Sequence, residues 1–122
     1  MKVGNPRTSG SWQGSGQRPE KGFHMKSILI IGLGRFGRHL CRKFMSLNNE
    51  VMIVDRDEAA VTALADEVTS AQIADCTDEN ALRALGVKNF DICFVCIGSD
   101  FASSLLITST LKEMGAARVV AK

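Results

Sequence analysis

The residues best suited to chemistry are three glycines, Gly32, Gly34 and Gly37, which directly follow the apolar run 28–31. The spacing G-x-G-x-x-G is typical of a strand that turns through a phosphate-binding loop into a helix. We interpret Gly32 as the tight turn and Gly37 as the close contact between helix and strand. Gly34 would let the backbone approach a pyrophosphate, because no Cβ stands in the way. The helix N-terminus would then offer unpaired N–H groups to the phosphates.

A second candidate, Asp55, ends the apolar run 51–54 and lies 23 residues after Gly32. An acid about 20 residues after such a loop accepts hydrogen bonds from an adenosine ribose. Its charge would repel a 2′-phosphate, which favours NAD over NADP. Arg56 weakens this preference, because a neighbouring arginine can accommodate that phosphate. Asp55 can alternatively cap the helix that begins near Asp57.

Further candidates lie in the loop and after the other predicted strands. The guanidinium of Arg35 could reach phosphate oxygens or remain a solvated charge. The carboxylate of Asp75 could accept from the exocyclic amine of adenine. Gly98 could let a ligand approach the backbone. For the last two positions we favour helix capping over ligand contact, and the candidate caps are Thr77, Asp78, Ser99 and Asp100.

The pair Cys93 and Cys96 spells C-x-x-C, a spacing that can bind metal or perform redox chemistry. It falls within an apolar strand candidate, and positions three apart on a strand face opposite sides of the sheet. We therefore interpret both as buried apolar residues. Together with Cys41 and Cys76 they are expected to be unpaired thiols in a reducing cytosol.

Catalytic groups are missing from the predicted strand ends. His39 falls on a predicted helix and His24 precedes the folded region. The sequence shows no Ser-His-Asp set, His-rich metal cluster or G-x-x-x-x-G-K-[ST] loop. No residue is placed as the acid or base of a hydride transfer, so we predict a cofactor site without enzyme activity.

These candidates depend on alternating strands and helices, which imply parallel β-α-β units. Right-handed crossovers favour an open, doubly wound α/β sheet in the order 3-2-1-4-5, which binds ligands beyond the carboxyl ends of its strands. The predicted strands are 27–31, 51–55, 70–74, 91–97 and 118–122, and the predicted helices are 36–48, 58–67, 78–85 and 101–114.

The last predicted helix carries apolar residues around more than one face, so we expect it to cover a second surface in a dimer. These residues are Phe101, Leu105, Leu106, Ile107, Leu111 and Met114.

At 122 residues the chain is long enough for one domain. Residues 1–24 hold both prolines, the single tryptophan and five of the eleven glycines, which predicts a disordered leader or tag. Residues 25–122 form the predicted domain, with eleven basic and twelve acidic residues. That balance lacks the excess of basic residues that is typical of a domain that binds nucleic acid. No apolar run reaches the length of a membrane span, so we expect no direct membrane insertion.

Residues 26–122 resemble the N-terminal nucleotide-binding domain (RCK or KTN) of the Trk and Ktr potassium-uptake regulatory proteins. The most specific stretch is the loop Gly32-Leu33-Gly34-Arg35-Phe36-Gly37 followed by Val54-Asp55. In the segment Ala74-Asp75-Cys76-Thr77, Cys76 replaces the alanine usual in the family. The remaining matches are Leu85–Asp91, Val95-Cys96-Ile97-Gly98 and Val119-Val120-Ala121-Lys122.

The resemblance implies a Rossmann-like fold that binds NAD(H) or an adenine nucleotide (ATP, ADP or AMP). Arg35 would sense terminal phosphates and Asp55 the ribose, and the matching stretches add Phe36, Cys76 and Ile97 to the site residues. The resemblance also implies homodimers that build a larger ring. The ring would be cytoplasmic, held at the inner face of the cell membrane through the potassium-transporting subunit that it gates. The family's C-terminal regulatory domain has no counterpart in these residues.

Two other interpretations stay open from the sequence. The chain could be the NAD-binding domain of a dehydrogenase that lacks its catalytic half. It could also be a stand-alone redox-sensing protein that uses its cysteines.

Overall fold

The computed structural model describes residues 25–98 and 100–122, and the predicted leader 1–24 lies outside the described residues. Strands and helices alternate along this part of the chain, as the sequence predicts. The strands are β1 (Ser27–Ile31), β2 (Glu50–Asp55), β3 (Ser70–Ile73), β4 (Ile92–Val95) and β5 (Val119–Ala121). The helices are α1 (Arg35–Ser46), α2 (Glu58–Leu64), α3 (Glu79–Leu85) and α4 (Phe101–Glu113).

The five strands form one parallel sheet in the order β3-β2-β1-β4-β5, which confirms the predicted topology. β1 is central, with Ile30 opposite Ile53 of β2 and Phe94 of β4. Every residue of β1 is buried, because helices cover both faces of the sheet. The order reverses at β1, so the loop that leaves β1 lies at the point where such sheets bind ligands.

Two apolar layers lie on opposite faces of the sheet. Leu29 and Ile31 of β1 pack with α3 and α4, whereas Ile28 and Ile30 pack with α1 and α2. This alternation follows from the two-residue period of a strand. Cys93 belongs to the first layer and Cys96 to the second, which confirms that the C-x-x-C pair faces two sides of the sheet.

α4 buries only part of its apolar surface. Ile107 and Leu111 are in the core, but Phe101 is 75% exposed, Leu105 58% and Leu106 51%. The helix is therefore apolar on its outer face as well, as its sequence predicts.

Several predicted boundaries are wrong by one to three residues. β4 ends at Val95 rather than at residue 97, because the chain leaves the sheet there to line the ligand edge. α1 ends at Ser46 rather than at residue 48, because Asn48 adopts a left-handed φ of 66° that no helix continues. α2 ends at Leu64, and a 3₁₀ turn, Ala65–Glu67, replaces its predicted last turn.

Candidate functional site

The carboxyl ends of the strands line an open pocket of about 230 Å³. It lies beside β1, where the strand order reverses. The pocket brings together most of the residues that the sequence singles out. Its lining includes Gly32, Gly34, Asp55, Arg56, Asp75, Cys76 and Ile97.

Four predicted site residues lie outside this lining. Arg35 and Phe36 are exposed in the first turn of α1, and Gly98 is exposed in the loop after β4. Gly37 is buried where α1 crosses the glycine loop. The first two lie beside the glycine loop and outside the pocket lining.

The three glycines of the loop differ in what a side chain would meet. A Cβ on Gly37 would lie 2.0 Å from the carbonyl oxygen of Gly32, and a Cβ on Gly32 would lie 2.6 Å from that of Cys96. Gly32 also has a φ of +100°, which favours glycine. A Cβ on Gly34 would meet nothing within 4 Å. The fold itself therefore requires Gly32 and Gly37, whereas Gly34 leaves open space above the loop.

The N-terminus of α1 opens toward that space. Gly34 is its N-cap, with no capping side chain, and no acidic residue lies in the first turn. The first N–H groups of a helix have no partner within the helix and attract anions. The N-terminus of α1 therefore presents N–H groups that have no partner within the helix and to which a phosphate could bind.

Asp55 connects the loop to the next helix. Its Oδ2 accepts from the N–H of Leu33 at 2.7 Å, and its Oδ1 accepts from the N–H of Asp57 at 2.9 Å. Asp57, not Asp55, is the N-cap of α2, because its side chain accepts from the N–H of Ala59. Each carboxylate oxygen keeps a further lone pair. Asp55 can therefore position the glycine loop and still accept from a ribose.

Asp75 is part of a turn at the end of β3. The hydroxyl of Thr77 donates to Asp75 Oδ1 at 2.6 Å and the Thr77 N–H does so at 3.0 Å. These two bonds hold the pKa of Asp75 below its usual value. Asp78 caps α3 through the N–H of Asn80, so the capping interpretation of this segment is confirmed for Asp78. The other oxygen of Asp75 remains available to a ligand donor.

Asp100 both caps α4 and lines the pocket. Its carboxylate accepts from the N–H of Ser103 at 3.0 Å and from the Ser103 hydroxyl at 2.8 Å, which lowers its pKa. Ser99, the other predicted cap, lies outside the described residues. The pocket therefore holds three carboxylates, at Asp55, Asp75 and Asp100, and one guanidinium, at Arg56. Such a lining suits hydroxyl and amine donors better than phosphate groups.

Sequence reasoning missed several lining residues. Leu33 and Ala74 adjoin predicted site residues and could have been inferred from them. Ile107 is on the buried face of α4, and only the packing of that helix brings it to the pocket. The residues missed are Ile31, Leu33, Ala74, Cys96, Ser103 and Ile107, and the lining also includes Thr77 and Asp100, which the sequence suggests only as helix caps.

The cysteines show no sign of reactivity. All four are free and buried. Burial raises the pKa of Cys76 and Cys93 to about 12 and that of Cys41 and Cys96 to about 11. Within residues 25–98 and 100–122, no three His, Cys, Asp or Glu side chains gather as a metal site. The thiols therefore act as packing residues, as the sequence predicts.

Comparisons with known proteins identify the family of this chain. A family model described as the TrkA-N domain matches residues 28–122. The Ktr system potassium uptake protein A of Bacillus subtilis (strain 168) is 43% identical over 89 residues, which are 73% of this chain and 40% of that protein. This chain therefore spans less than half the length of that relative.

Solved structures share the fold. The NAD(P)-binding domain of an exopolyphosphatase-related protein from Archaeoglobus fulgidus matches with a TM-score of 0.70 and 27% identity, over 79% of this chain and 71% of that one. A GsuK channel bound to NAD matches with a TM-score of 0.65 and 20% identity, over 85% of this chain and 18% of that one.

The fold defines a Rossmann-like domain, of the class whose glycine loops bind nucleotides. The chain belongs to the TrkA-N domain family. Among the residues that the structure describes, no helix is long and apolar enough to cross a bilayer.

Proposed function

We propose that this domain binds NAD(H) or an adenine nucleotide and thereby controls a potassium-transporting membrane subunit. The observation that carries the proposal is the open space above Gly34, beside an uncapped helix N-terminus and a pocket lined by Asp55. The phosphates would lie over the loop, the ribose against Asp55 and the adenine near Asp75. Support for the transport role comes from the similarity to a Ktr potassium uptake protein.

A regulatory role fits the chemistry of the pocket better than catalysis. The groups with shifted pKa values there are carboxyls that favour the ionised form and thiols that stay protonated. A hydride transfer needs a positioned acid or base, and none of these groups suits that task. We therefore propose that the domain binds its cofactor without transforming it.

Calorimetric titration with NAD, NADH, ATP, ADP and AMP tests the binding proposal. We expect at least one of them to bind, and the variant Gly34→Val to lose binding because its side chain would occupy the pyrophosphate position. The position tolerates a Cβ, so the variant should remain folded, which circular dichroism checks. Unchanged affinity in folded Gly34→Val protein, or no binding by the unmutated chain, would refute the proposal.

We also propose that the exposed apolar face of α4 is covered in a homodimer, the unit of a larger ring. Three large apolar side chains more than half exposed on one helix are costly to leave in water. Light scattering over a concentration series is expected to show a dimer or larger species. The variant Leu105→Glu, placed on the exposed face, should shift it to the monomer. A strict monomer at high micromolar concentration would contradict the assembly.

The cytoplasmic location and the transporter partner are tested with the protein produced in cells. We expect Gly34→Val in that protein to change potassium uptake by cells that express its transporter subunit, with the protein still recovered at the membrane. Potassium uptake that stays unchanged when nucleotide binding is lost would argue against control through this site.

A further inference from the structure

Helix α1 concentrates positive charge. Its twelve residues hold four of the eleven arginines and lysines of residues 25–122, together with a histidine and no acidic residue. The domain as a whole is balanced, with twelve acidic residues, so this charge results from segregation along one helix rather than from composition. The five basic residues, which we call the basic face, are Arg35, Arg38, His39, Arg42 and Lys43.

The basic face occupies one side of α1. Successive residues of a helix are about 100° apart, so the five positions fall within an arc of about 140°. The structure agrees, because all five side chains are exposed, whereas Gly37 and Cys41 on the opposite side of the helix are buried. The helix is about 18 Å long. The basic face is therefore a narrow band of charge along a convex surface.

Little of this charge is neutralised within the described part of the chain. Arg42 pairs with Glu67, in the 3₁₀ turn after α2, with 3.0 Å between Nε and Oε1. The other ion pair recorded among these residues joins Arg83 to Glu79 of α3. An exposed pair such as Arg42 with Glu67 contributes little stability and exchanges readily with other partners. The basic face is therefore available to an external anionic surface.

Two exposed apolar side chains border the basic face on one side. Phe36, in the first turn of α1, is 39% exposed, and Leu47, the C-cap, is 57% exposed. They are eleven residues apart, which is close to three helical turns, so they lie along the same side of the helix, next to Lys43. A basic arc with an apolar border is typical of helices that lie in the plane of a membrane interface.

The shape of this surface favours a layer of phospholipid headgroups over a peptide. An acidic peptide is usually held in a groove or along a strand edge, whereas the basic face is convex. A flat anionic layer attracts each exposed arginine or lysine separately and needs no groove. The exposed face of α4 belongs to the opposite side of the sheet, because α4 packs in the other apolar layer. A membrane contact through α1 therefore leaves the proposed dimer surface free.

We propose that the basic face of α1 binds the anionic phospholipid surface of a membrane, with Phe36 and Leu47 entering the headgroup region. The contact is peripheral, since the helix lies along the surface and does not span the bilayer. The inference goes beyond the proposed function and does not depend on nucleotide binding. It gives the domain a membrane contact of its own, in addition to any transporter subunit.

Sedimentation of the chain with lipid vesicles tests the proposal. We expect binding to vesicles of phosphatidylcholine that contain about one third phosphatidylserine, and little binding to pure phosphatidylcholine. Binding should decrease as the salt concentration rises from about 0.05 M to about 0.5 M. The double variant Arg38→Glu, Lys43→Glu should weaken binding at least about tenfold. Leu47→Gln should weaken it less and leave the salt dependence unchanged, because it removes no charge.

The matched control is the double variant Arg83→Glu, Lys88→Glu. It changes the net charge by the same amount at exposed positions of α3 and of the 3₁₀ turn that follows, which pack on the opposite side of the sheet from α1. We expect its vesicle affinity to stay within about twofold of the unmutated value. Both double variants keep residues 1–24, so the basic residues of that segment contribute equally to both. Circular dichroism checks that each variant is folded.

Several outcomes would overturn the proposal. Equal losses in the two double variants would show that net charge alone determines binding. Equal binding to vesicles with and without phosphatidylserine would exclude recognition of anionic headgroups. Polyglutamate that binds the chain more tightly than the anionic vesicles do would assign the basic face to an acidic protein segment. Absence of vesicle binding by a chain that still binds nucleotide would overturn this inference and leave the proposed function standing.

Discussion

Two spacing motifs meet at the ligand edge of the sheet, the glycines after β1 and the C-x-x-C pair at β4. They are adjacent, because the N–H of Cys96 donates to the carbonyl oxygen of Ile31, the residue before Gly32, at 2.7 Å. The glycine motif lies where a strand turns into a helix, and it leaves open space for a ligand. The cysteine pair begins inside a strand, and its two thiols enter separate apolar layers.

The difference shows that the chemistry available to a motif depends on the secondary-structure element in which it lies. A turn can direct several backbone groups at one point, so glycines two to five residues apart act together. A strand turns its side chains to alternate faces, so cysteines three apart cannot share a metal ion. The predictions below test this contrast from its largest expected effect to its smallest.

The strongest test adds one methyl group at two places in the same loop. Gly37→Ala puts a Cβ against the carbonyl oxygen of Gly32, so it should destabilise the fold by more than about 4 kcal/mol or prevent folding. Gly34→Ala adds the same atom in open space with a backbone of φ −70° and ψ −167°, and should cost about 0.5 kcal/mol. Urea denaturation followed by circular dichroism measures both free energies of unfolding.

The difference between the free energies of unfolding of the two alanine variants is more informative than either free energy alone. Equal costs would show that the loop relaxes around an added Cβ. The distinction between a glycine required by packing and one left open for a ligand would then be lost.

Asp55→Ala probes the contact between the loop and the ribose. We expect NAD binding to weaken by about 1.5–3 kcal/mol, because a charged hydrogen-bond acceptor is lost, and the preference for NAD over NADP to decrease. The same change leaves the N–H groups of Leu33 and Asp57 without their acceptor, so unfolding should also become easier. Calorimetry with both dinucleotides measures the preference. NADP bound by the unmutated chain as tightly as NAD would contradict the role of Asp55.

The sequence predicts the fold well because strong local signals agree with it. Unbroken apolar runs mark β1 and β2, and the glycine loop marks the turn between β1 and α1. Boundaries were less accurate, because the end of a strand such as β4 depends on its neighbours. Asn48, whose left-handed backbone ends α1, gives only a weak signal in the sequence.

The site was predicted in part, for a similar reason. Residues at strand ends were found, because the topology alone places them together. Ile107 reaches the pocket from the middle of α4, and the Lys122 Nζ lies 5.1 Å from the centroid of the Phe36 ring. Neither position follows from spacing along the chain, because both depend on how separate elements pack.

The smallest expected effect concerns the cysteine pair and the pH dependence of stability. Burial raises the pKa of Cys93 to about 12 and that of Cys96 to about 11, from an ordinary value of 9.0. The unfolded chain therefore releases these protons at lower pH than the folded chain. Stability due to this difference is complete well below pH 9 and decreases as the pH rises from about 9 toward the folded values. Between pH 7 and pH 9 the loss should be about 0.4 kcal/mol for each thiol.

The chain contains no tyrosine, so no phenol titrates beside the thiols above pH 9. Urea unfolding at pH 7 and pH 9 measures the loss, and the double variant Cys93→Ala, Cys96→Ala should reduce it by about 0.8 kcal/mol. A thiol reagent at pH 7 should react with the unfolded chain and not with the folded one. Rapid reaction of the folded chain, or a pH dependence that the double variant leaves unchanged, would show that at least one cysteine is a reactive, ionisable group. If the reacting thiol is Cys93 or Cys96, the C-x-x-C pair would be a chemical site, as the glycine loop is, and not only part of the core.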